Sequence, residues 1–342
     1  MRLLWLVLCV PWMLWSELWM EKQIGKDLAY FQTKVISLSE LEKFYEKRAN
    51  YLQLVKYVIH DNQVEVDCRF VDAKGNKERI EKYKEAFRSL CQAKGLPDVT
   101  LLLSINDGLN VREDFPIFAM CKIDSDQIIL LPDYEILGKR YQVLKSQDIE
   151  QVEIPWEEKV AKLIWRGSTA QKWLHLEEKH LPILSRLKLC ELSELYPALI
   201  DAKYTIFVQG GEQIPYLRKF RGERVSFEEQ MRCKYHILID GNTCPYSNSG
   251  WKFFVGSLLF KPDSRWIQWY YDELKPGVHY IPVKENLSDL LEKLEWAIEH
   301  DKEAKTIGER CRALALTHLT SPNNLLYLYL AVLHYSELSF MP

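Results

Sequence analysis

Short apolar runs alternate with longer amphipathic stretches along this chain, and the alternation predicts an α/β protein. Residues 51–70, YLQLVKYVIHDNQVEVDCRF, read as two strands paired around a turn at Asp61-Asn62. Over 74–94, Ile80, Tyr83, Phe87 and Leu90 recur at helical spacing, which predicts an amphipathic helix with a basic outer face. VTLLLSIND (99–107) is an apolar strand stopping at Asn106-Asp107-Gly108, and PIFAMCK and DQIILLPDYEIL supply two further β runs. The register changes over 154–170, where a helix-like EEKVAK precedes the strand LIWRG and a polar turn. KYHILIDG (234–241) reads as a buried strand ending in Asp-Gly. The polar loop NTCPYSNSG then opens a helix, WKFFV, which ends at Gly256-Ser257 and passes into a strand at 258–261, an aromatic turn and a last strand, VHYIPV. From Ser288 the pattern is helical, and the final helix, started by Ser321-Pro322, is apolar on most sides and is expected to pack back on the first domain.

Alternating β and α elements in two halves predict two Rossmann-like domains facing each other across a cleft. The expected division is an apolar segment over 1–26, a first domain over 27–155 together with 321–342, and a second over 156–320. Neither half has a G-x-G-x-x-G fingerprint, which argues against an ordinary dinucleotide site. The chain has 342 residues, 47% hydrophobic and 27% charged, with a net charge of −3. That composition describes a folded protein and gives no electrostatic case for nucleic acid as the main partner. The basic helix face reads as solvated or as a contact with an anionic membrane surface. Eight cysteines form no C-x-x-C pair, so a zinc ribbon is not indicated. The apolar run Leu3–Trp15 would span about 20 Å as a helix, short of the roughly 30 Å hydrocarbon core. It reads as an interfacial helix making peripheral membrane contact, as a helix packed on the domain, or as a signal-like segment.

The loop after KYHILIDG places backbone N–H groups where a helix begins, a natural seat for phosphate. Its motifs D-G, W-K-F, G-S-L-L-F and L-K-P-x-V-H-Y-I-P-V, with W-R-G-S at 165–168, resemble glycosyltransferase family 90. That family holds protein O-glucosyltransferases, fungal capsule-associated proteins and bacterial lipopolysaccharide-modifying transferases. The resemblance is tight over 234–283 and moderate over 164–168 and 104–116. It implies a GT-B fold and an inverting transfer from a UDP-sugar, with no cofactor. Asp124 and Asp126 of D-S-D lie at a polar tip between two β runs and read as a turn rather than a metal holder, which favours the metal-independent option.

The resemblance also implies residue roles. Arg166, Gly167 and Ser168 would meet the donor phosphates, the alternative for Arg166 being a pairing with a surface carboxylate. Asp240, Gly241, Ser247, Ser249 and Lys252 would shape the phosphate loop, and His279 and Tyr280 would flank uracil or ribose or else serve as core. Thr169 stands where many relatives carry a further Arg, and Lys252 is the nearest cation to the second loop. Asp107 matches the catalytic base, with Glu113 and Asp114 as backups; a turn-forming Asp is its plain alternative. The expected acceptor is a lipopolysaccharide or surface glycan, in the cytoplasm or peripherally on an inner membrane. The alternatives are a protein O-glucosyltransferase-like enzyme, in a secretory lumen or periplasm if the N-terminus is a signal, or a non-catalytic nucleotide-sugar-binding protein. His175 and His180 sit too far around a helix to share a metal, and the Trp266–Tyr271 cluster reads as core or as a sugar platform.

Overall fold

The computed structural model describes residues 17–123, 127–137, 149, 153–172 and 174–341, without the side chains of residues 247 and 248. The apolar run Leu3–Trp15 and Asp124–Asp126 therefore lie outside the described residues. The chain forms two compact units, one of Met1–Lys139, Trp266–Glu273 and Thr317–Pro342, the other of Arg140–Arg265 and Leu274–Leu316.

The first unit holds a five-stranded sheet of β1 (Leu54–His60), β2 (Gln63–Asp67), β3 (Val99–Ser104), β4 (Ile117–Ala119) and β5 (Ile128–Leu130), in the order β2-β1-β3-β4-β5. Asp61 and Asn62 join β1 to β2 with φ of 47° and 59°. Both are residue types that tolerate the left-handed region a two-residue hairpin demands. The hairpin makes β2-β1-β3 antiparallel, while β3, β4 and β5 run parallel, so the Rossmann-like part of this unit is its second half. The helix Lys77–Lys94 buries Ile80, Tyr83, Phe87 and Leu90, the positions its spacing singled out. The helix Ser321–Ser336 belongs to this unit too: the Tyr335 hydroxyl donates to the Thr100 carbonyl at 3.0 Å, and its ring meets Phe118 edge-on at 4.9 Å.

One segment is placed differently from the sequence expectation. Trp266–Glu273, assigned above to the second domain, packs with the first unit. Trp266-Ile267 pairs with Lys122-Ile123, and Trp269, fully buried, stacks on Trp19 at 5.3 Å and meets Tyr327 at 4.4 Å. Indole burial against two other rings explains the placement and makes Trp269, with Tyr270, part of the core, while Trp266 and Tyr271 are half-buried.

The second unit is built on β6 (Val160–Ser168), β7 (Ile200–Ile206), β8 (Cys233–Ile237), β9 (Leu258–Pro262) and β10 (Ile281–Val283), ordered β10-β9-β8-β6-β7 and parallel throughout. Leu163, Trp165, Tyr235, Ile237, Leu258 and Phe260 are buried in one cluster with Leu187, Cys190, Leu290 and Leu294 from two helices. Covered faces of this kind require near-continuous apolar strands, as the sequence provides. Two local expectations fail. EEKVAK is not a helix: Trp156–Glu158 form a single 3₁₀ turn, and from Val160 the segment already belongs to β6. The helix expected at WKFFV is a five-residue turn, Tyr246–Gly250, continued by a 3₁₀ turn, Trp251–Phe254. Bulky Trp251, Phe253 and Phe254 are all buried there, and packing three large rings in succession prevents one regular apolar face.

Candidate functional site at the strand ends of the second unit

In a parallel sheet all C-terminal strand ends open on one edge, and ligands of α/β proteins bind there. β6 and β8 are direct neighbours, with Leu163 beside Tyr235 and Ile164 beside His236. That adjacency brings Gly167-Ser168 and Asp240-Gly241 to the same edge, although long stretches of chain separate them. Both glycines are sterically required. A Cβ on Gly167 would lie 2.3 Å from the Trp165 ring, and one on Gly241 would lie 2.6 Å from Nη2 of Arg186.

Arg186 was not singled out by the sequence. It stands in the first turn of the helix Ser185–Leu195, and its guanidinium fastens the two strand ends together. Nε donates to the Asp240 carbonyl at 2.8 Å, and Nη2 to the Ile239 carbonyl at 3.3 Å. Nη1 donates to the carbonyls of Ser168 (3.1 Å) and Ala170 (3.0 Å) and to the Ser168 hydroxyl (3.2 Å). The Lys172 amide adds a bond to the Gly241 carbonyl at 3.0 Å. The only advance signal was an Arg just inside the helix that follows a motif-bearing strand.

The charges at this edge are desolvated. Burial lowers Arg186 to about 10 and Lys252 to about 7, the nearby Arg186 charge adding to the second shift. Burial also raises the Asp240 carboxyl to about 6, against the pull of the Ser264 hydroxyl, Lys261 and Arg186. Buried ionisable groups gathered in this way are a mark of functional edges as well as of structural networks. A cavity of about 950 Å³ opens beside them, lined among others by Lys172, Ser185, Asp263, Lys284 and Glu285. Lys172 follows β6, Asp263 follows β9 and Lys284-Glu285 follow β10, so the cavity also belongs to the C-terminal edge.

Several expected site residues are placed elsewhere. The Arg166 guanidinium is occupied on the neighbouring strand: Nη2 pairs with the Asp201 carboxylate at 2.8 Å, Nη1 donates to the Trp165 and Asp201 carbonyls, and Nε to Glu223. It ties β6 to β7 rather than presenting itself to a phosphate. The Ser249 hydroxyl donates back to the carbonyls of Pro245 and Tyr246, as serines in helical turns do. Lys252 points inward, with Nζ 3.1 Å from the Ile237 carbonyl. The Ser247 side chain lies outside the described residues. His279 and Tyr280 precede β10 and so stand at its N-terminal end, away from the edge that carries Ser168 and Gly241. There His279 Nδ1 accepts from the Lys275 amide at 3.0 Å, closing the turn before the strand. Sequence reading placed them by motif alone, without the direction of the strand they introduce.

In the first unit, Asp107 follows β3 and is three-quarters buried, paired with Arg79 at 2.6 Å. Arg79 also donates to the Ile105 carbonyl at 2.5 Å and lies 5.2 Å from the Tyr134 ring centre. Burial opposes the Arg79 charge, but Asp107 and Tyr134 together outweigh it and hold the guanidinium above its ordinary value. Glu113 pairs with Arg48, and Asp114, largely exposed, with Lys34 at 2.8 Å and Tyr30 at 2.7 Å. Of the three carboxylates, Asp107 is the one that follows the C-terminal end of a buried strand. His180 Nδ1 accepts from the Glu177 amide and caps a 3₁₀ turn, which accounts for that histidine without a metal.

Residues 20–341 match the family model described as glycosyl transferase family 90. The chain belongs to that family. It is 29% identical over 336 residues to protein O-glucosyltransferase 2 of Danio rerio, covering 92% of this chain and 62% of that one. It is 29% identical over 334 residues to human protein O-glucosyltransferase 3, covering 93% and 61%. The chain thus spans about three fifths of the length of these curated relatives. Among solved structures, Anabaena HepE in complex with UDP and glucose aligns over 62% of this chain and 61% of that one, at a TM-score of 0.38 and 12% identity.

Proposed function

We propose that this family 90 chain transfers a hexose from a UDP-sugar, UDP-glucose being the first to try, to a hydroxyl group of a protein. The relatives named above favour a protein acceptor over the lipopolysaccharide expected from the sequence. The observation that carries the reading is the adjacency of β6 and β8, which sets the W-R-G-S and I-D-G motifs on one C-terminal edge. In the proposed reaction the diphosphate rests on the backbone N–H groups after these strands. The acceptor hydroxyl loses its proton to a base, for which Asp107 is the candidate, as its oxygen attacks the anomeric carbon from the face opposite the diphosphate. The bond from that carbon to the diphosphate oxygen breaks, UDP leaves with the electron pair, and the configuration inverts. Arg79 holds the Asp107 carboxylate in place.

The test is transfer from UDP-glucose to a panel of small secreted domains, read by intact mass and by UDP release, with and without EDTA. The expected result is one added hexosyl unit, insensitive to the chelator. Asp107→Asn should cut turnover by roughly 10²–10⁴-fold with UDP affinity unchanged, the usual contribution of a general base. UDP binding with neither transfer nor hydrolysis would replace this reading by a nucleotide-sugar-binding protein. Undiminished turnover in Asp107→Asn would remove that residue from the mechanism.

A further inference from the structure

Tyr51 is 70% exposed, more than any other large apolar or aromatic side chain among the described residues. Exposure alone carries no function, since scattered apolar side chains are normal on surfaces. Tyr51 differs in its place and in how it is held. β1 and β3 are antiparallel, with Leu54 opposite Ser104. The two segments stay together beyond the ladder: the Ile105 amide donates to the Gln53 carbonyl at 3.0 Å, and Asn106 Nδ2 to the Leu52 carbonyl at 3.4 Å. The next residues on the two segments are Tyr51 and Asp107, so the ring stands at the strand end that carries the candidate base. The helix Leu38–Leu52 places Arg48 one turn before Tyr51, its guanidinium carbon 5.0 Å from the ring centre. Arg48 is fixed in turn by Glu113, on the loop that follows Asp107, with Nε 3.0 Å from Oε1. A paired guanidinium thus braces the ring, which has little rotamer freedom left to lose on binding. Tyrosines and arginines held in this way are the usual anchors of protein interfaces.

We propose that Tyr51 is the acceptor-binding anchor of this enzyme: the acceptor protein lays an apolar side chain, next to the modified hydroxyl, on the Tyr51 ring while that hydroxyl meets Asp107. The proposal rests on the reading above, in which the acceptor is a protein and Asp107 lies at its hydroxyl. Charge narrows the partner. The Arg48 guanidinium already lies against the ring, and Arg112, exposed on the same loop as Glu113, adds a further cation. A basic neighbour to the hydroxyl is therefore disfavoured, and an apolar one fits. Tyr51 binds the acceptor and takes no part in bond making.

The probe is the small secreted domain that accepts hexose best in the transfer assay, with KM and kcat measured alongside UDP affinity. Tyr51→Ala should raise the KM for that domain by about 10-fold or more, the loss expected when an interface anchor is truncated. The kcat at saturating acceptor and the affinity for UDP should stay within about 2-fold, as for a contact made equally in ground and transition states. Tyr51→Phe should keep the KM near that of the unaltered enzyme, because it keeps the ring. In the probe, replacing the apolar residue nearest the modified hydroxyl by Lys should raise the KM of the unaltered enzyme and scarcely change that of Tyr51→Ala. An unchanged KM in Tyr51→Ala, a fall in kcat and UDP affinity instead, or additive effects of the two changes would overturn the proposal. Transfer to no protein by the unaltered enzyme would overturn the functional reading beneath it, and the proposal with it.

Discussion

At the scale of single residues, burial decides what each charge can do. Lys252 was expected to face a phosphate, yet its Nζ is turned to the Ile237 carbonyl and held to about 7 by burial, with Arg186 close by. An unfolded lysine titrates near its ordinary 10.5, so between about 7 and 10.5 the unfolded chain binds more protons than the folded one. Stability therefore rises with pH across that window, and below about 7 the whole desolvation cost is present. Lys159 contributes in the same sense. It is lowered to about 8 by burial while donating to the Met231 and Val255 carbonyls and to Ser257. Melting temperature should rise from pH 7 to pH 9 in the unaltered protein. Lys252→Met should melt higher at pH 7 and show a shallower rise, measured by thermal denaturation across that range; an unchanged slope would place the charged form of Lys252 in a better-solvated setting. Sequence reading could not see this, because nothing in W-K-F-F tells which way the lysine points.

At the scale of elements, legibility followed how much of the determining chemistry was local. The hairpin at Asp61-Asn62 and the helix over 77–94 depend on turn residues and spacing within a few positions, and both were readable. The WKFFV segment and Trp266–Glu273 were misread because rings distant in sequence decide their packing. The same holds for the helix through residues 17–28, whose Asp27 reaches into the first sheet. Its carboxylate pairs with Lys122 at 2.5 Å and accepts from the Leu130 amide at 2.9 Å, and both charged side chains are buried. Burial raises the Asp27 carboxyl in spite of its partner. Removing one member of a buried pair strands the other, so Asp27→Asn should destabilise the first unit by about 3–5 kcal/mol in urea unfolding. A change below about 1 kcal/mol would mean the pair is hydrated, as exposed ion pairs are.

At the scale of the whole molecule, the two-part α/β organisation was visible in the alternation of patterns, and the family in five motifs. The arrangement of the site was visible only in part. Ser168, Asp240 and Gly241 were readable as strand-end residues because motifs carry them, and sheet order puts those strand ends side by side. Arg186 escaped because its significance lies in acceptors contributed by two separate loops. His279 and Tyr280 were included because strand direction was ignored.

The central claim is that the edge formed by β6 and β8 holds a nucleoside diphosphate without help from a metal. Hydrogen–deuterium exchange of the full chain, with and without UDP and in the presence of EDTA, addresses it most directly. The account predicts slowed exchange concentrated at residues 166–172 and 240–254. Protection confined to other segments, or protection that appears only when a divalent ion is added, would contradict it.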